Sequence, residues 1–196
     1  MSARHAAAVL TLTTTAFLMG RSTGLASSQD MDAKAMEAGW DALGQTGRMH
    51  RLLEPFVGTW QAAGTFYMPD GELETQGTME TRWILGGKFL EQRYHTDEMM
   101  GAPFDGLSLW GYSSAAETFQ SLWIDSMTTH IDFNETMEVS EDGKTFRARG
   151  EQYIAPGMTM PYVDHIEIKN ENEHVFTRSI ETPGGLEPSW TIVYTR

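Results

Sequence analysis

The sequence contains no cysteine, which excludes disulfides, thiolate zinc sites, iron–sulfur clusters, a cysteine nucleophile and a lipidated membrane-anchor cysteine together. Positive charge is scarce. Only 14 Lys and Arg stand against 27 Asp and Glu, a formal net charge of -13. That imbalance argues against nucleic acid and anionic membrane surfaces as partners, because phosphate binding needs the opposite sign. No Gly-x-Ser-x-Gly, Gly-rich phosphate loop or dinucleotide fingerprint occurs, so no enzyme class is signalled. Long apolar runs are missing too: Ala6–Met19 is short for a membrane span and is diluted by four threonines.

What is present suffices for one domain. The 196 residues are 40% hydrophobic and 11% aromatic, a globular composition with material for a single core. Arg4 and His5 precede the apolar stretch, no acid occurs before Asp30, and Gly24 and Ala26 have the small-residue spacing of a signal-peptidase site. Residues 1–26 are therefore predicted to be a signal peptide, and the mature protein to be periplasmic or secreted. Residues 27–57 form a predicted helical segment. Met31, Met36, Trp40 and Leu43 suit an amphipathic helix over Asp30–Leu43, which Gly44 and Gly47 end; His50–Phe56 adds a turn or two limited by Pro55.

From Gly58 to the end the texture is β. Turn signals such as Pro69-Asp70-Gly71, Gly86-Gly87, Asp142-Gly143 and Pro183-Gly184-Gly185 separate ten predicted strands. They run at about 58–67, 74–85, 88–96, 104–112, 118–125, 129–139, 145–154, 160–169, 174–182 and 188–195. Ten consecutive antiparallel strands leave two exposed edges unless the sheet closes, so residues 58–196 are predicted to form an all-β, antiparallel up-and-down barrel of about ten strands. A two-sheet sandwich is the alternative. Strands four and five carry apolar residues on both faces: Phe104, Trp110 and Tyr112 oppose Leu107 and Leu109, while Phe119 and Trp123 oppose Leu122 and Ile124. Their outer side should therefore be covered, by the N-terminal helix or by a second subunit in a homodimer.

Gly58-Thr59-Trp60, Leu85-Gly86-Gly87-Lys88-Phe89-Leu90, Phe104-Asp105-Gly106, Gly111-Tyr112, Trp123-Ile124-Asp125-Ser126 and Tyr194-Thr195-Arg196 follow one another along the chain. In these motifs the sequence resembles the bacterial domain of unknown function 1579 family. The resemblance implies a lipocalin-like or nitrobindin-like barrel and assigns no activity. Lys88 stands where the family more usually has Arg, and Ser113 where Asp is expected. Nitrobindin-like barrels hold haem through one histidine, which would make His165 or His174 the ligand; no other cofactor is expected.

The predicted function is binding of a small apolar or amphipathic molecule inside the barrel. The candidate ligand-binding residues are Trp110, Trp123, Asp125, Glu91, Arg93, Tyr194 and Arg196. Asp125 beside Trp123 could orient a polar group, against a plainer role capping turn amides. Glu91 and Arg93 share a strand face and form either an internal charge network or a solvated outer pair. Tyr194 and Arg196 have the spacing with which fatty-acid-binding barrels hold a carboxylate. His130 with Asp132 matches no specific metal pattern, and Met99-Met100 and Met158-x-Met160 could offer thioethers to copper or simply fill a portal. The alternatives are a structural or interaction protein with a filled barrel and a subunit interface, or a hydrolase using paired acids such as Glu91 and Asp125.

Overall fold

The computed structural model describes residues 33–196; the predicted signal peptide lies outside the described residues. Ten antiparallel strands follow in chain order: β1 Gly58–Met68, β2 Gly71–Ile84, β3 Phe89–Met99, β4 Ala102–Ser113, β5 Thr118–Asp125, β6 Asp132–Val139, β7 Thr145–Ala155, β8 Met158–Asn170, β9 Glu173–Thr182 and β10 Gly185–Thr195. Each pairs with its sequence neighbour, and β10 returns to β1 through Gln61↔Thr195 to Phe66↔Trp190, which closes the barrel. The predicted barrel, with its strand number, is the observed one. The sandwich is excluded, because one continuous sheet has no second layer.

Closure is a response to composition as much as to geometry. Strands with alternating apolar and polar residues need one face away from water, and a closed sheet also leaves no unpaired edge. On β1 the buried positions are Trp60, Ala62 and Gly64, with Gln61 and Ala63 between them. On β3 Leu90, Gln92, Tyr94 and Thr96 point inward, which puts Glu91, Arg93 and His95 on the outer wall. The interior is crowded enough to need small partners for large rings. Gly106 lies directly under the Trp123 ring, and a methyl group at Gly150 would meet the Tyr162 hydroxyl at 2.5 Å.

The two ends of the barrel differ. One is plugged by the segment before β1: a short helix, α2 (Arg48–Arg51), and a 3₁₀ turn, Glu54–Phe56. Leu53 and Phe56 are fully buried there among Leu90, Phe119, Phe146 and Ile166. Phe56 meets Trp110, Phe146 and His174 edge-on at 5.1–5.5 Å between ring centres, the preferred arrangement for aromatic pairs. Pro55 at the start of the 3₁₀ turn supplies a fixed φ where no N–H is needed.

The first helix, α1 (Ala33–Gly44), behaves otherwise. Met36, Trp40 and Leu43 share one side of it and all three are exposed, Trp40 at 70%. The expectation that this helix covers the outside of β4 and β5 is not met; α1 leads into the plug and leaves that wall uncovered.

Phe56→Ala should lower stability by about 3–5 kcal/mol, the usual cost of emptying a ring-sized core site, as read from urea unfolding. A loss below about 1 kcal/mol would mean that the plug does not pack as described.

Candidate functional site

The interior side chains sort into an apolar half near the plug and a polar half toward the opposite end. In the polar half, alternation along β8 and β9 turns Tyr162, Asp164 and Arg178 inward, and the first inward positions of β6 supply Asp132 and Asn134. Arg178 and Asp164 face one another across the β8–β9 register. The guanidinium donates through Nε and Nη2 to the two Asp164 oxygens at 2.6 and 2.7 Å, and through Nη1 to Asp132 at 2.9 Å. The Tyr162 hydroxyl faces Asp132 and Asn134 at 2.7 and 3.0 Å, and the Asn134 amide donates to Ser121. The Arg178 guanidinium also lies 3.7 Å above the centre of the Tyr162 ring and 5.0 Å from that of Trp190.

A planar fork held by two carboxylates and two rings is the geometry in which Arg tolerates desolvation. Burial alone would lower the Arg178 pKa, but the bonds to Asp164 and the charge of Asp132 hold it above its ordinary value. Burial likewise lifts the Asp164 carboxyl above its usual range in spite of Arg178, and raises the Tyr162 phenol. One guanidinium against two carboxylates leaves this centre one negative charge in excess when both acids are ionised.

Beside the charged centre, the same half of the barrel carries two stacked aromatic pairs on different walls, with Trp190 in register with Arg178 and Trp123 in register with Asp132. Phe66 and Trp190 stack at 5.8 Å across β1 and β10; Phe104 and Trp123 stack at 6.4 Å across β4 and β5. All four rings are half-buried. They form apolar walls on either side of the ionic centre.

The predicted residues are distributed unevenly over this arrangement. Trp123 and Asp125 do come together: the indole N–H donates to Asp125 at 3.0 Å. Asp125 also accepts the backbone N–H groups of Met127 and Thr128 at 2.9 and 2.8 Å, the turn-capping role. Trp110 lies inside at the plugged end, donating to Ser108. Glu91 and Arg93 are on the outer wall, where Glu91 pairs with Arg93 at 2.9 Å and Arg82 at 2.8 Å. The internal network is corrected to the solvated outer pair, because Leu90, Gln92 and Tyr94 take the inward positions of β3. Glu91 and Asp125 therefore belong to different faces of their strands, and no pairing of the two is present.

Tyr194 and Arg196 do not form a carboxylate clamp. Arg196 curls over the strand end, donates to the carbonyls of Val57 and Glu171 at 2.6–3.0 Å and covers Trp60 at 4.3 Å. Tyr194 is buried and stacks on His174 at 4.6 Å. His174 is also boxed in by Trp60 at 4.4 Å and Phe56 at 5.1 Å. Its Nδ1 has no hydrogen-bond partner, but a porphyrin could approach only by displacing one of these rings, so the residues here do not fit haem. His165 is outward and exposed, opposite Arg147. Asp132, considered with His130 for a metal, is committed to Arg178, while His130 packs edge-on against Tyr153.

Sequence reasoning missed Arg178, Asp164, Tyr162 and Asn134. The signal was available: alternation places Arg178 on the same face as Phe176 and Ile180, a charge in an otherwise apolar row.

The profile of the family described as "Protein of unknown function (DUF1579)" matches residues 45–196, plug and barrel together. The chain belongs to this family. No curated protein matches the sequence. Among solved structures, the DUF1579 chain is similar to a redesigned β-barrel, with 16% identity, a TM-score of 0.41, and coverage of 76% of this chain and 98% of that one. It is also similar to a de novo designed fluorescence-activating β-barrel, with 14% identity, a TM-score of 0.39, and coverage of 73% and 94%.

Two outcomes follow from these groups. Arg178→Met strands the buried Asp164 and the half-buried Asp132 carboxylates and should cost about 3–5 kcal/mol; adding Asp164→Leu should recover part of that loss in a double-mutant cycle. His174 is held neutral, its pKa lowered from 6.5 to about 3 by burial and by Arg196. The unfolded chain takes up that proton first, so this contribution is intact above pH 6.5 and is lost as the pH falls toward 3. Between pH 6.5 and 4.5 the loss should reach about 2–3 kcal/mol. His174→Phe should flatten that part of the stability–pH profile, and an unchanged slope would contradict the assignment.

Proposed function

We propose that the protein is an exported binding barrel that takes a small amphipathic molecule through its open mouth. The apolar part of the ligand packs against the Phe66–Trp190 and Phe104–Trp123 pairs, and its polar end meets the Arg178, Asp132, Asp164 and Tyr162 group between them. The single observation that carries this reading is the largely buried charged centre flanked by half-buried aromatic pairs. A barrel that only needed filling would gain nothing from burying an arginine with two carboxylates, since apolar residues of similar volume serve stability as well or better. Export is supported by the composition of residues 1–26 and agrees with the lack of cysteine.

The charge of the mouth selects among ligands. The segments forming this end, residues 66–74, 95–106, 123–134, 150–164 and 178–190, contain twelve Asp and Glu and a single Lys or Arg, Arg178 itself. Such a field repels anions and favours neutral or cationic head groups. This reverses the carboxylate expected from Tyr194 and Arg196.

Tryptophan fluorescence titration with dodecanol, dodecyltrimethylammonium and dodecanoate at concentrations below micelle formation tests the proposal. Saturable binding of the neutral and cationic chains is expected, with dodecanoate at least about tenfold weaker at low salt. Trp190→Ala should weaken binding by about tenfold or more, as the loss of an aromatic anchor usually does. No saturable binding by any of the three, or tightest binding of dodecanoate, would contradict the reading.

A further inference from the structure

β6 and β7 are joined by three rungs, Met137↔Ala148, Glu138↔Arg147 and Val139↔Phe146, all toward the plugged end. Beyond them residues 132–134 keep their pairing with β5, and residues 149–155 theirs with β8, but the two stretches do not pair with each other. The cause is local. Between Phe119↔Met137 and Ser121↔Asn134 the register advances three residues along β6 for two along β5, a bulge that bends β6 and increases its twist. The wall is therefore split by a notch that runs from Met137↔Ala148 to the barrel end opposite the plug. A cavity of about 330 Å³ follows the notch on the outer side, with Phe133, Thr136 and Arg149 in its lining.

Side chains bridge the notch where the backbone does not. Tyr162 lies opposite Gly150 in the β7–β8 register, and its ring passes under β7 because Gly150 has no side chain to block it. The hydroxyl then meets Asp132 and Asn134 of β6 at 2.7 and 3.0 Å. Arg178 adds its 2.9 Å bond to Asp132 from β9. At the far end of the notch His130, just before β6, packs edge-on against Tyr153 of β7 with ring centres 4.8 Å apart, and both residues are exposed. A fully laddered wall gives up backbone partners when it parts, whereas this one parts by the turning of a few side chains.

We propose that this notch is the entrance through which an amphipathic molecule reaches the ionic centre, with His130 and Tyr153 as its clasp. The proposal rests on the binding reading above and adds the route. Asp132, Asn134 and Tyr162, the groups directly behind the notch, belong to the ionic centre or bond to it, so an entering polar end meets them first. Gln152 points inward from the β7 edge, and its side-chain oxygen is buried without a hydrogen-bond partner. A buried acceptor left unmatched is costly. It suits a donor on the entering molecule, a hydroxyl or an ammonium, and repels a carboxylate. The lip offers two rings to the apolar chain, Phe133 at 51% and Tyr153 at 53% exposure.

Hydrogen exchange and binding kinetics on the full chain test the proposal. Without any ligand, amides facing the notch in peptides over 132–136 and 149–155 should exchange at least about tenfold faster than those of the β1–β10 seam. Protection equal to the seam would overturn the notch, whatever the protein binds. His130→Cys with Tyr153→Cys then sets the only two thiols of the chain across the clasp. Bridging them with dibromobimane, verified by the added mass, should slow dodecanol association about tenfold or more relative to the same variant unbridged, as read by stopped-flow tryptophan fluorescence. Thiols that do not bridge would overturn the clasp, and dodecanol association unchanged by the bridge would overturn the entrance while leaving the binding reading intact. No dodecanol binding by the unaltered chain would overturn the binding reading and the entrance with it.

Discussion

The structure depends on one seam. Ten strands become a barrel only if β10 pairs with β1, and Arg196, just after β10, braces that junction. Arg196 lies across the Trp60 ring and ties the Val57 carbonyl, just before β1, to the Glu171 carbonyl in the β8–β9 turn. The Trp60 indole in turn donates to the Phe56 carbonyl at 2.8 Å. One cation and one ring thus join the C-terminus, the start of the sheet and the plug. Donation to backbone carbonyls suits a guanidinium here, because carbonyls at element ends have no ladder partner.

From that seam the barrel acquires a direction. Near it, the interior is largely apolar and tightly packed: Phe56, Trp60, Phe146, His174 and Tyr194 meet ring against ring. Away from it, the inward positions turn polar and then ionic. The gradient separates two jobs. The plugged half supplies the cooperative core that stabilises a closed sheet, while the opposite half carries groups that are costly to bury. The ionic centre survives because each of its members has partners, with Arg178 engaged by Asp164, Asp132 and two aromatic rings.

Much of this was legible in the chain. Turn residues marked the strand boundaries to within a few positions, since Gly, Pro, Asn and Asp do most of the local work at hairpins. The two-sided apolar character of β4 and β5 was visible as well, and the uncovered outer wall is its structural counterpart. Inwardness was harder. Glu91 and Arg93 alternate with Leu90, Gln92 and Tyr94 on β3, and alternation separates two faces without saying which one the barrel encloses. The ionic centre was harder still, because Asp132 and Arg178 are 46 residues apart and meet only once β6 to β9 have curved around the interior. Arg196 illustrates the opposite error: its proximity to Tyr194 in sequence suggested cooperation, yet the strand end turns it toward Trp60 and the seam.

The account rests on the claim that the open half of the barrel is a binding chamber. Native mass spectrometry on the mature protein purified from its own host, compared with its denatured mass, tests that claim most directly. The account predicts extra non-covalent mass of a small amphipathic molecule, lost on denaturation and absent from a Trp190→Ala variant expressed in the same host. A bare chain, unliganded at every concentration and with identical spectra for the variant, would contradict it.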